Sequence, residues 1–220
     1  MKTLVIAPHP DDEVLGVGGT LFRRKDEGNS LGWLIVTSID SAHGWTEEQM
    51  DTRKREVQRI SHLFSFSEVF ELGIPTTRLD DVPMKELVDA ISGVFASFMP
   101  NEVFIPYWGD VHSDHQAVFK AVASSAKWFR CPSINRILAY ETPSETDFGL
   151  NPNESFIPNT FIDISPYIGR KIEAMRIYES EIGKHPFPRS EASIHALATV
   201  RGAASGFQYA ESFQLLRERM

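Results

Sequence analysis

Cysteine is nearly absent from this 220-residue chain, where Cys131 stands alone. A lone thiol forms no internal disulfide and builds no cysteine-rich metal site. Long apolar runs are missing too, and nothing approaches the roughly 20 consecutive apolar residues of a membrane-spanning helix. The apolar stretch before Pro8 is shorter than the roughly 7–15-residue core of a signal peptide. Together these features give the expectation of a cytoplasmic protein with no membrane span. Blocks of like charge are lacking, and the net charge is −8, which argues against nucleic acid and anionic membrane surfaces as partners. No repeat or low-complexity tract interrupts the chain. A dinucleotide fingerprint is absent as well: G-x-G-x-x-G read from Gly16 requires glycine at position 21, where Leu21 stands. Gly16, Gly18 and Gly19 read instead as places where a helix packs closely on a sheet.

What is present is a core-forming composition, 42% hydrophobic, enough for one domain spanning residues 1–220. Apolar strand patterns at Leu4–Ala7, Leu31–Thr37, Glu68–Leu72, Glu102–Pro106 and Ile134–Tyr140 alternate with helical patterns at 15–26, 46–64, 83–98 and 115–129. That alternation predicts an α/β fold, a three-layer Rossmann-like domain with a mostly parallel sheet, whose right-handed crossovers put the strand ends on one edge. Thr46 is placed to cap its helix, with Gln49 in support. Within that helix Arg53-Lys54-Arg55-Glu56 reads as a solvated face, with Arg55 paired to Asp51 and Glu56 on another side. Residues 143–159 read as a surface loop over the cleft, Phe161–Ile164 as a short strand, and Pro166 as the start of a helix to Ile182. The segment from Ala192 to Met220 carries no assignable pattern.

Two strand ends carry chemistry. The first is Pro8-His9-Pro10-Asp11-Asp12-Glu13, an imidazole and three acids on a strand-to-helix turn. In open α/β sheets ligands collect beyond the carboxyl ends of strands. This stretch is either a set of metal ligands plus a base or a run of helix-capping acids, since Asp at an N-cap complements the helix dipole without chemistry. Glu13 reads as a helix N-terminal acid. The second strand end repeats the grammar: after Pro106 come Asp110, His112, Asp114 and His115 within six positions. Histidines and a carboxylate from separate segments are a common ligand set for catalytic zinc, which takes three protein ligands and keeps a position for water. Asp40 and His43 lie in a loop at the same edge and read equally well as solvated.

With both clusters in view, the chain resembles the zinc-dependent N-acetylglucosaminyl-phosphatidylinositol de-N-acetylases, the PIG-L or LmbE-like family. The paired motifs carry the resemblance, supported by Arg53 to Glu56, Ile164-Ser165, Lys171, Tyr178-Glu179-Ser180, Arg201-Gly202 and Tyr209 to Phe213. The resemblance implies a hydrolase that removes an N-acetyl group from an amino sugar or glycoconjugate, leaving acetate and a free amine. By matching position, His9, Asp12 and His115 would hold the metal, and Asp11 would be the general base. His112, oriented by Asp114, would stabilise the oxyanion, and Arg53 would bind substrate. Ser113 stands where the family usually has proline, and Asp110-Val111 stands just before His112, where some members carry other polar residues. The implied cofactor is Zn2+, although such ligand sets also accept iron, cobalt or manganese. The implied partner is a small amino-sugar substrate, with homo-oligomerisation left open. A zinc amidase acting on a non-sugar amide, or a non-catalytic sugar-binding relative, fits the same residues.

Overall fold

The computed structural model describes residues Met1–Met220. Its strands and helices follow in the order β1 (Lys2–Ala7), α1 (Asp12–Asp26), β2 (Ser30–Ser38), α2 (Glu47–Phe64), β3 (Glu68–Pro75), α3 (Met84–Phe98), β4 (Glu102–Pro106), α4 (Ser113–Ser125), β5 (Arg136–Tyr140), β6 (Thr160–Asp163), α5 (Ile168–Met175), α6 (Glu191–Ser205) and β7 (Ala210–Glu218). The seven strands form one sheet in the order β3-β2-β1-β4-β5-β7-β6. The first five strands are parallel, and β7 runs antiparallel between β5 and β6.

Side-chain alternation along β1 shows why the sheet is covered on both faces. Val5 and Ala7 enter a core shared with α1 and α2, while Leu4 and Ile6 enter a second core shared with α3 and α4. A strand buried on both faces reads as a continuous apolar run, which is the pattern of Leu4 to Ala7. The fold is therefore the expected α/β, Rossmann-like arrangement of a mostly parallel sheet between helical layers.

Strand order also locates the cleft. The chain leaves β1 toward β2 on one side and leaves β4 toward β5 on the other, so β1 and β4 are neighbours whose outgoing loops diverge. A crevice opens at such a switch point, and the two His/Asp clusters are these two loops.

Several local expectations need correction. The helix after the second cluster, expected to reach residue 129, ends at Ser125, and Phe129 beyond it is exposed; Pro132 and the turns around it intervene before β5. The helix expected to run to Ile182 stops at Met175. Arg55 does not reach Asp51 but donates to Thr52 Oγ1 at 2.9 Å. Glu56 is not a surface acid: it is buried, 3.2 Å from the Arg53 Nε. Thr46 does cap α2, and its reciprocal bond with Gln49 completes a capping box. The unassigned C-terminal segment forms α6 and β7. From β7, the Glu211 carboxylate accepts the Gly19 and Thr20 backbone N–H groups at 2.8 and 2.7 Å. It also pairs with buried Lys171, which donates to Leu15 O at 2.8 Å. The C-terminal half thus holds α1, and with it the first cluster, against the sheet.

Candidate active site

The loop from β1 to α1 is fixed at its start by Thr37 of β2, whose N–H and Oγ1 both donate to Pro8 O at 3.0 and 2.8 Å. His9, Asp11 and Asp12 then face the crevice, with both acids buried. Asp11 occupies the N-cap position of α1 yet makes no side-chain capping bond. Asp12 accepts the backbone N–H of His9 at 2.9 Å. The capping alternative therefore fails for Asp11.

From the other side of the switch point, His112 caps α4 by accepting the Asp114 N–H on its Nδ1 at 3.1 Å. Asp114 and His115 are fully buried on the first turn of that helix. Donor atoms of His9, Asp12 and His115 all lie within 4.8 Å of one another. The His115 Nε2 is 3.3 Å from Asp12 Oδ2, and the His9 Nδ1 is 3.5 Å from the same oxygen. On its far side, His115 Nδ1 donates to Asp110 Oδ2 at 2.8 Å, and Thr146 Oγ1 donates to Asp110 Oδ1 at 2.6 Å. That bond keeps a ring proton on Nδ1 and turns Nε2 toward Asp12 and His9, so that the Nε2 lone pair faces them when the ring is neutral. The Nε2 is buried and has no hydrogen-bond partner. A carboxylate–histidine pair aiming an unpaired nitrogen at a second histidine and a carboxylate is the arrangement that metal-binding imidazoles usually show. The donor set, two imidazoles and one carboxylate, suits a catalytic divalent ion.

Electrostatics follow from these contacts. Burial raises Asp12, but the adjacent His115 and His9 outweigh it and hold the carboxyl well below the usual carboxylate range. Burial depresses His9, but its bonds to Asp114 and Asp12 prevail and lift it to about 9. His115 is raised well above its ordinary value, because Asp12 and Asp110 overcome the same burial. Asp11 is pushed up to about 8 by burial and by the charges of Asp12 and Glu181, against the pull of Arg189 and Arg53. Burial and the neighbouring His9 push His112 down, toward the neutral form. A neutral ring that accepts at Nδ1 carries its proton on Nε2, so His112 is a donor.

The cleft is a cavity of about 510 Å³ lined by His9, Asp11, Asp12 and His112 together with Trp45, Arg53, Glu145, Glu181 and Arg189 among others. Arg53 belongs to this wall. It donates to Pro10 O at 2.6 Å and pairs with Glu181. One expected contact is not formed: Asp114 does not orient the His112 ring. Its carboxylate lies 4.0 Å from His112 Nδ1 and instead meets His9 Nε2 at 3.0 Å while accepting from the backbone of Thr77 and Leu79. Glu13 lies in the first turn of α1, as expected of a helix N-terminal acid, and is fully buried there. Asp40 and His43 pair with each other at 2.8 Å outside the cavity wall, which that loop reaches through Trp45.

Sequence reasoning missed Arg189, whose Nη1 donates to Asp11 Oδ2 at 3.1 Å, and Glu181, 3.3 Å from the same guanidinium. Both lie between α5 and α6, where no periodicity or strand end marks a residue as facing the cleft. Thr142 and Glu145 arrive from the loop after β5.

The family model described as PIG-L, GlcNAc-PI de-N-acetylase, matches residues 4–126, which contain both clusters and Arg53. The chain belongs to the PIG-L family. It is thereby classed with the metal-dependent de-N-acetylases. Among PIG-L relatives, the diacetylchitobiose deacetylase of Thermococcus kodakarensis is 27% identical over 98% of this chain and 83% of its own length. The conserved protein TT1542 of Thermus thermophilus superposes with a TM-score of 0.79 at 29% identity, covering 99% of this chain and 96% of that one. GalB, the 4-carboxy-2-hydroxymuconate hydratase of Pseudomonas putida, has a TM-score of 0.75 at 20% identity, covering 100% and 98%. A hydratase on the same fold shows that the scaffold alone does not fix the reaction.

Proposed function

We propose that this protein, acting as one domain over residues 1–220, hydrolyses the acetamide of an N-acetylated amino sugar or glycoconjugate, releasing acetate and a free amine. The observation that carries this reading is the convergence of His9, Asp12 and the unpaired Nε2 of His115 beside buried Asp11. His9, Asp12 and His115 would hold Zn2+ or a similar ion. When bound, that ion supplies Lewis acidity: it polarises an amide carbonyl, lowers the pKa of a water molecule toward about 7 and favours ionised Asp11.

The chain's own residues do the rest. Asp11 accepts the water proton at its carboxylate, and Arg189 holds that carboxylate in place. Without the ion, burial raises the carboxyl to about 8; once Asp11 has taken the proton from water, it can return that proton to the departing nitrogen. His112 donates its Nε2 proton to the oxygen that gains charge, an effect for which loss of one donor typically costs about 2.7–4 kcal/mol. Asp114 acts through His9 by fixing that ring. Arg53 presents its guanidinium from the cleft wall. Only five of the 22 lining residues are hydrophobic, which suits a hydroxyl-rich ligand. The matched relative's named substrate, diacetylchitobiose, supports the sugar class.

The test is primary-amine and acetate release by zinc-loaded protein from N-acetylglucosamine, diacetylchitobiose and a non-sugar acetamide. Turnover of an acetylated sugar is expected. Asp11→Asn should keep its metal and lose about 10²–10⁴-fold in turnover, whereas His115→Ala should lose the metal. Activity confined to the non-sugar amide, or no hydrolysis by a fully loaded preparation, overturns the proposal.

A further inference from the structure

Asp11 sits in a backbone conformation that L residues rarely adopt, with φ 135° and ψ −29°. Such a conformation persists only where the surroundings over-determine it, and it is found where a reactive side chain must be aimed. Its carbonyl, carboxylate and backbone N–H are all held here. The Asp11 carbonyl accepts from Val14 and Leu15 at 3.0 and 2.9 Å, as the start of α1 requires. Arg189 grips the carboxylate. The backbone N–H, which the unusual φ turns away from the ordinary helix-entry direction, donates to Glu13 Oε2 at 3.1 Å.

Glu13 is an unexpected residue to find there. It has no exposed surface, and burying a carboxyl is unfavourable unless its oxygens are bonded. Its second oxygen, Oε1, accepts from the Tyr178 hydroxyl at 2.8 Å. Tyr178 is itself fully buried, and the Arg53 guanidinium stands over its ring, 5.6 Å from the centroid. Glu13 touches neither the cavity nor the group of candidate ligand atoms.

We propose that Glu13, locked by Tyr178, is a positioning residue that holds Asp11 in its strained conformation and so aims the proton-accepting carboxylate at the reacting water. This rests on the reading of Asp11 as the base. The segment after α5 thereby acts on the catalytic turn through one hydroxyl, although it lies 165 residues away in sequence. A glutamine can serve in place of Glu13, because its carbonyl can accept the Asp11 N–H while its amide donates to the Tyr178 oxygen. An alanine cannot.

The experiment compares Glu13→Ala, Glu13→Gln and Tyr178→Phe with the parent protein in zinc-loaded form, by crystal structure, metal content and steady-state deacetylation of diacetylchitobiose. In Glu13→Ala, residue 11 should relax to negative φ while zinc content is kept. Its kcat should fall about 100-fold, the cost of a misplacement near 1 Å, with KM changed far less. Glu13→Gln should recover most of that turnover. Tyr178→Phe, which removes one oxygen and leaves no large void, should lower kcat in the same direction by a smaller factor. Retention of φ near 135° at residue 11 in Glu13→Ala overturns the proposal, as does an unchanged kcat in a relaxed structure. If the parent protein deacetylates nothing, the reading of Asp11 as the base fails on its own, and the φ comparison still decides whether Glu13 holds the turn.

Discussion

At the level of single residues, the site is a set of carboxylates and imidazoles that neutralise one another, and its dependence on pH follows. His9 is raised from 6.5 to about 9, against its burial, by bonds to Asp114 and Asp12. The protonated ring therefore stabilises the metal-free fold fully below its unfolded value of 6.5, and that contribution is lost as pH rises through about 9. A divalent ion requires neutral imidazoles, so metal binding must displace these protons. Titration calorimetry with Zn2+ in buffers of different ionisation enthalpy should show net proton release at about pH 7, and affinity should climb between pH 6.5 and 9. Absence of proton release would mean that His9 and His115 are already neutral without metal. Asp110→Asn should weaken the metal by about 10–100-fold, because Asp110 fixes the His115 tautomer. The sequence points to His9, Asp11, Asp12, His112 and His115 because each follows an apolar strand ending at a proline. It does not show which ring Asp114 meets. One turn of α4 carries that carboxylate past His112 toward His9, and the His9 loop is 105 residues distant.

At the level of elements, α1 shows how a sequence pattern can suggest one function and serve another. Its glycines resemble a phosphate-binding loop but are packing devices. A Cβ on Gly16 would lie 2.3 Å from the Tyr140 ring, whose hydroxyl donates to Ile6 O at 2.9 Å, and one on Gly19 would lie 2.7 Å from Ile164. Tyr140 is fully enclosed in β5 and has no room to yield. Gly16→Ala should cost about 1–3 kcal/mol in urea unfolding, the usual penalty for overpacking. Gly93 in α3 is the control, because a Cβ there meets nothing within 4 Å. Gly93→Ala should add about 0.5–1 kcal/mol of stability. Equal effects at the two positions would refute the close-approach account. Strands with both faces buried, such as β1 and β4, are readable as apolar runs. By contrast, β7 is not, because its second half is exposed and its identity as a strand comes from pairing with β5 and β6 on either side. The helix expected from Pro166 does form but ends early, since Tyr178 turns away to reach Glu13 rather than continuing the helical face.

For the whole molecule, alternation of strands and helices is enough to give the fold class and to put every parallel strand end on one edge. Adjacency of β1 and β4 is not readable locally, because it depends on the chain reversing its direction of travel across the sheet. That adjacency joins His9 and Asp12 to His115, and a bound ion would tie together two loops that lie on opposite sides of the switch point. No counterpart of this link exists in the unfolded chain, where the ligands are far apart, so an ion that binds only the folded form adds RT ln(1 + [L]/Kd), about 4.1 kcal/mol at roughly 1,000 times Kd. For a chain of this length each kcal/mol moves the melting midpoint by roughly 2–4 °C. Thermal unfolding with Zn2+ at about 1,000 times its Kd should therefore shift Tm upward by roughly 8–16 °C relative to chelator-treated protein. The shift should vanish in His115→Ala, which keeps α4 but removes the ligand contributed by the second loop. If that variant is stabilised by zinc as much as the parent, the ion binds elsewhere on the surface. The two loops would then meet without sharing a metal.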